Sequence, residues 1–158
     1  MARHPDVEAR HHYVDAMALD LLRRPWDFDV LPMENLFGDI LSDLGAGLIG
    51  GMGFAPSADI GDKHGLFQPS HGTGPDIAGQ GIANPTAMIL STALMLDWLG
   101  ERHGSDDARL AARAIETSID RAFGEARVRS HDIGGSDGTV AIGRAVADAI
   151  RSGEADPA

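Results

Sequence analysis

Apolar residues along this chain recur mainly at spacings of three and four, the period of a helix with one buried face. Val14, Met17, Ala18, Leu21 and Leu22 form such a stripe within residues 7–24, and Pro25 marks its stop. Residues 36–48 carry a second stripe through Leu36, Phe37, Ile40, Leu41 and Leu44, with Asn35 placed to cap it. Between the two, residues 28–31 read as a short buried strand. Glycine-rich loop follows to about residue 82, interrupted by a strand candidate at 57–60. Asn84-Pro85 is a cap followed by a proline at the first helical position. It opens a helix to residue 99 that is apolar nearly all round, the pattern of a buried helix. Residues 106–123 fit an amphipathic helix with Leu110, Ala111, Ala114, Ile115, Ile119 and Ala122 inward. A last helix fits residues 139–150, with Ile142, Val146 and Ile150 inward. Five helices thus stand against two or three short strands. Helices this apolar need a sheet or partner helices over them, so the pattern predicts an α/β chain that is helix-rich with an incomplete sheet.

At 158 residues, 43% of them hydrophobic and 23% charged, the chain is long enough for a real core and is globular rather than disordered. A formal net charge of -11, with no dense run of Lys and Arg, argues against a nucleic-acid partner. The absence of cysteine removes disulfides and thiolate metal sites. The first residues lack the apolar core of a signal peptide, and the longest apolar run, 87–96, is broken by Ser91 and Thr92 and too short for a bilayer. A cytoplasmic protein with no membrane partner is expected. Lys63 is the single lysine and Tyr13 the single tyrosine, while many of the 20 glycines cluster between 45 and 81.

Gly45-Ala46-Gly47-Leu48-Ile49-Gly50 matches a dinucleotide fingerprint in letters only. That motif needs a strand before it and a helix after it. Here a helix precedes and loop follows, so a helix stop is expected instead. Asp39 and Asp43 are four apart on a predicted helix, which puts both carboxylates on one face about 5–6 Å apart at Cβ. A hard, oxygen-seeking divalent cation such as Mg²⁺ or Mn²⁺ would relieve their repulsion. The ordinary alternative is a solvated pair, with Asp39 favoured near a helix N-terminus. In the run His71-Gly72-Thr73-Gly74-Pro75-Asp76-Ile77-Ala78-Gly79, glycines let backbone hug a flat ligand while His71, Thr73 and Asp76 supply a ring, a hydroxyl and an acceptor. A carboxylate there suits a ribose 2′-hydroxyl and repels a 2′-phosphate. A structural loop with a capping aspartate is the alternative. The adjacent His11 and His12 are a poor metal clamp, since neighbours on a helix do not face each other.

Taken in order, Tyr13-Val14-Asp15-Ala16-Met17, then Glu34-Asn35-Leu36-Phe37-Gly38-Asp39-Ile40-Leu41-Ser42-Asp43, then the 71–79 run continuing to Ile82-Ala83-Asn84-Pro85 resemble the C-terminal part of β-decarboxylating dehydrogenases. The resemblance is strongest to the 3-isopropylmalate dehydrogenases, and isocitrate and tartrate dehydrogenases share it. It extends to Gly134-Gly135-Ser136-Asp137-Gly138-Thr139. It implies the C-terminal half of a two-domain isopropylmalate-dehydrogenase-like fold. Residues 1–50 would end the dimerisation and substrate-side domain, and 51–158 would belong to the nucleotide-binding side. It implies that Asp39 and Asp43 bind Mg or Mn, and that Asp15 is a third metal-site aspartate delivered across a homodimer interface. It implies that His71, Gly72, Thr73, Gly74, Pro75, Asp76, Ile77 and Ala78, with Asn84, bind the adenosine of NAD, and that Asn35 lies toward the nicotinamide. NADP-dependent members commonly carry lysine at the position of Asp76, so NAD is the implied cofactor. The implied reaction oxidises and decarboxylates a malate-type 2-hydroxy dicarboxylate.

The family's catalytic lysine, tyrosine and carboxylate-gripping arginines lie in an N-terminal half with no counterpart here, so no catalytic residue is identifiable. Lys63 falls in a Gly61-Asp62-Lys63-His64-Gly65 turn, and Tyr13 belongs to the aspartate motif. Three roles are compatible with this: a fragment, natural or made for expression, or one part of a split enzyme; a non-catalytic NAD-binding subunit of a full-length partner; or a dimerisation module with vestigial sites.

Overall fold

The computed structural model describes residues 4–153. The chain divides into two compact units, one ending at Leu48 and the other starting at Ile49.

The first unit pairs helix α1 (Val14–Arg23) with helix α2 (Asn35–Leu48). Helix α1 begins seven residues later than its predicted start at residue 7. The apolar stripe itself starts at Val14, and the polar residues before it have no face to bury, which is what stabilises most protein helices. There Arg10 bonds Glu8 instead of a helical neighbour. At the other end the guanidinium of Arg24 bonds the carboxylate of Asp20, one turn back, and holds its pKa below the usual carboxylate value. The expected strand at 28–31 is absent: Pro25–Asp27 forms a 3₁₀ turn, and Phe28 sets its ring edge-on against His12 rather than joining a ladder. Asn35 is the first residue inside α2 rather than its cap, and the carbonyl of Glu34 accepts from Gly38. The helix passes through Gly45 and Gly47 before stopping at Leu48, so the glycine-rich letters are a helix end.

The second unit opens with an antiparallel hairpin, β1 (Pro56–Ile60) and β2 (Gly65–Pro69), in which Ser57 faces Gln68 and Ala58 faces Phe67. The second strand was hidden in sequence by flanking glycine and proline. Its turn carries Lys63, and Gly61 N donates to the carbonyl of His64 at 2.9 Å. Three helices follow: α3 (Thr86–His103), α4 (Asp106–Gly124) and α5 (Thr139–Arg151). Ser105 caps α4 by accepting from Ala108 N. The fully buried hydroxyl of Ser91 donates to the carbonyl of Gln68, tying α3 to the hairpin. Trp98 adds a second tie by meeting Phe67, while Arg102 lies over its indole.

Ile119, Ala122, Val128, Ile142 and Val146 form the core, with Ile89, Leu90, Ile115, Phe123 and Ala145 packed around it. Two details of the predicted stripes change. Leu110 and Ala111 face outward and Ala112 inward, and Ile150 is 40% exposed while Ala149 is buried. The predicted burial of α3 also holds on one face only, since Met88 and Leu94 remain exposed. Among the described residues, no helix is long and apolar enough to cross a membrane.

Ile142 is 0% exposed at the centre of this cluster. Ile142→Ala should therefore cost about 2–5 kcal/mol in urea unfolding, from lost burial and the cavity left behind. A cost below ~1 kcal/mol would mean that the three helices do not share this core.

Candidate functional site: a glycine-rich loop closed on the start of the last helix

Between β2 and α3 the chain makes no ladder. Its turns are local: Ile77 N donates to Gly74 O at 3.1 Å, Ala78 N to Pro75 O at 3.3 Å, and the Gln80 side chain to Asp76 O at 2.8 Å. Pro75–Ile77 is a 3₁₀ turn entered through Gly74, whose φ of 53° is the left-handed conformation that glycine adopts without cost. A side chain at Gly74 would also press against Ile77.

The loop curls around a cavity of about 470 Å³ lined by His71, Gly72, Thr73, Gly74, Ile77, Ala78, Gly79, Gly81, Ala83 and Thr139. That volume falls within the ~300–1,000 Å³ typical of small-molecule pockets. Most of the adenosine-loop residues expected from sequence thus share one concave surface. Pro75 and Asp76 sit in the 3₁₀ turn beside it, outside the lining, with Asp76 exposed. The Nδ1 of His71 lies 2.8 Å from the carbonyl of Gly72, which fixes the ring against its own loop.

Asn84 takes the capping place expected from its position before Pro85. Its Oδ1 accepts from the amide of Thr86 at 3.0 Å and from the Thr86 hydroxyl at 2.6 Å, so it caps α3. Its Nδ2 donates to the carboxylate of Asp132 at 3.1 Å and reaches Ser130 Oγ at 3.4 Å. Both ends of the amide are committed within the protein, and Asn84 does not line the cavity. The partners come from a segment the sequence reading left without a role. There Asp137 accepts from the amide of Arg129 at 2.7 Å, and Ser130 pairs with Asp137 in an isolated bridge.

In the first unit, Asp39 and Asp43 lie one turn apart on α2, both exposed. Asp15 is in the first turn of α1, exposed, and its carboxylate accepts from the amide of Ala16. Among the described residues, no three acidic or histidine side chains converge as a metal site. Two hard oxygen donors on one helix face still fit a divalent cation in kind, with further ligands required from elsewhere.

The family model for isocitrate/isopropylmalate dehydrogenase matches residues 1–150. The chain belongs to that family. It is 49% identical over 148 residues to an isocitrate/homoisocitrate dehydrogenase of Thermus thermophilus, covering 94% of this chain and 42% of that protein. It is 48% identical to a 3-isopropylmalate/3-methylmalate dehydrogenase of Methanocaldococcus jannaschii, covering 92% of this chain and 41% of that one. A crystal structure of isocitrate dehydrogenase from Methylococcus capsulatus superposes with a TM-score of 0.83 at 43% identity, over 95% of this chain and 43% of that chain. The chain therefore spans about two fifths of the length of the relatives it matches. It corresponds to the C-terminal part of a decarboxylating dehydrogenase and has the matching part of that fold.

Within this dehydrogenase part, Gly79, Gly81, Ala83 and Thr139 also line the cavity; all but Gly81 belong to the stretches that carry the resemblance, without a binding role implied for them. The glycines carried a signal, since both adopt positive φ, at 77° and 69°. Thr139 carried none, because it lies 56 residues beyond its partner Ala83.

Asn84→Ala should cost about 1–3 kcal/mol, because the buried Thr86 loses the partner of its amide. Chemical denaturation measures it, and a cost under ~0.5 kcal/mol would mean that the amide is replaceable by water.

Proposed function

We propose that the chain carries the adenosine loop and metal carboxylates of an NAD-dependent, Mg- or Mn-assisted dehydrogenase. The reaction oxidises and decarboxylates a malate-type 2-hydroxy dicarboxylate, with 3-isopropylmalate favoured. The observation that carries this is the cavity itself: six of the eight residues of the 71–78 motif line a concave surface of about 470 Å³. In this reading residues 1–50 belong to the dimerisation side of the enzyme and 51–158 to the nucleotide side.

The cavity fits adenosine in its chemistry. Its walls are largely backbone and small side chains, which suit a flat ring, and Thr73 adds a hydroxyl. Asp76, exposed beside it, accepts from a ribose 2′-hydroxyl and repels a 2′-phosphate. On α2, Asp39 and Asp43 hold the cation, and Asp15 of a second copy completes the set, as the family resemblance implies. Bound there, NAD⁺ provides the hydride acceptor and the cation provides Lewis acidity toward the 2-hydroxyl and the developing enolate. Leu36 and Ile40 on α2, with Leu19 and Leu22 on α1, are large exposed apolar side chains on the two helices proposed to dimerise.

No proton-transfer role is assigned to the single lysine or the single tyrosine. Lys63 is in the hairpin turn, and Tyr13 is 85% exposed ahead of α1. This observation also favours a second reading, in which the chain is a non-catalytic NAD-binding or dimerisation subunit of a full-length dehydrogenase. A general acid–base group contributes about 10²–10⁴-fold.

The purified chain with Mg²⁺ or Mn²⁺ should therefore form no NADH from 3-isopropylmalate, isocitrate, malate or tartrate. Turnover surviving controls for host enzymes would contradict the proposal. Adding the N-terminal half of a close relative should restore activity if the chain is an enzyme part. Activity altered only by mixing with an intact relative selects the subunit reading. In calorimetry the chain should prefer NAD over NADP, and Asp76→Lys should reverse the order. A wild type that prefers NADP would mean that the loop is assigned wrongly.

A further inference from the structure

A loop rich in glycine keeps a ligand-sized hollow only if something outside the loop fixes its far wall. Thr139 supplies that fixation. Its amide donates to the carbonyl of Gly81 at 2.9 Å, and its hydroxyl donates to the carbonyl of Ala83. Both acceptor residues line the cavity, and so does Thr139. Thr139 is the first residue of α5, and one turn later Ile142 is fully buried in the core. The anchor therefore stands one turn from the core. The amide is one of the donors that a helix start leaves without an internal partner, and the loop satisfies it.

The preceding glycine records how close the two segments come. Gly138 has φ -89° and ψ 178°, extended backbone open to any residue. A Cβ there would run into the carbonyl oxygen of Gly81. The glycine is required by proximity and not by its dihedrals.

We propose that Thr139 is a positioning residue for the nucleotide, holding the 81–83 wall of the cavity through its hydroxyl and amide. This rests on the reading of the cavity as the NAD site. Hydrogen exchange of the apo chain supplies a readout that does not depend on that reading.

Thr139→Val keeps the shape and the amide but removes the hydroxyl. It should speed exchange of the Thr139 and Gln80 amides, which donate to the carbonyls of Gly81 and Ile77, and weaken NAD⁺ binding about 3–10-fold, the scale of one net hydrogen bond. The melting temperature should stay close to wild type. Thr139→Ser should restore both slow exchange and affinity, and Gly138→Ala should loosen the same segment by pushing Gly81 away. Unchanged exchange and affinity in Thr139→Val would overturn the proposal. A serine variant as defective as valine would also overturn it, because packing of the methyl would then be responsible. If the wild type binds no NAD⁺, the functional reading fails by itself. Exchange that rises in valine and recovers in serine then still supports Thr139 as the holder of this loop, and exchange that does not change overturns it. Should Thr139→Val fail to fold, Gly138→Ala and Thr139→Ser decide by the same exchange comparison.

Discussion

The side-chain amide of Asn84 joins the start of α3 to the segment that follows α4. Its oxygen holds the first amide and hydroxyl of α3 at Thr86, and its nitrogen reaches Asp132 and Ser130 near the far end of the chain. Thr86 is fully buried, so its amide depends on Asn84 for a partner, and an unpaired buried amide costs more than a made bond contributes. Once Asn84 is placed, the loop before it has a fixed end. The segment after α4 is then brought to where Thr139 can meet Gly81 and Ala83. The cavity follows from these polar contacts between distant segments. The hydrophobic core positions α5 but does not by itself shape the loop.

Much of the helical part was legible because burial on one face writes a period of three and four into the residues. Val14, Met17 and Leu21 announced α1, and Ile142 and Val146 announced α5. Where the reading failed, a different contact decided the outcome. Phe28 met His12 instead of a strand, and Leu110 yielded its inward place to Ala112, two residues along. The strand at Gly65–Pro69 was missed because glycine and proline at its ends read as loop, yet Phe67 packs against Trp98.

The site divides the same way. Motif letters located residues 71–78 and the i, i+4 aspartates, since those features are local in sequence. They could not show that the Asn84 amide faces Asp132 rather than the cavity, or that Thr139 forms part of the lining. Both depend on pairings across more than 45 residues, which leave no periodic trace. The chain also exposes large apolar side chains, Met88 on α3 and Val140 on α5 among them. In the proposed reading, the remainder of the dehydrogenase or a second copy covers such faces, in keeping with a chain about two fifths the length of its relatives.

In the proposed reading, the nucleotide occupies the hollow formed by the 71–83 loop and Thr139. The most direct measurement is an NMR titration of the isotopically labelled chain with NAD⁺, following every backbone amide. Shifts should concentrate at His71, Thr73, Ile77, Ala78, Gly81 and Thr139, with the hairpin turn at 61–64 unaffected. Shifts gathered instead at the apolar groove lined by Phe54, Leu90, Ile119 and Phe123 would contradict it. So would a saturating titration that leaves the loop unmoved.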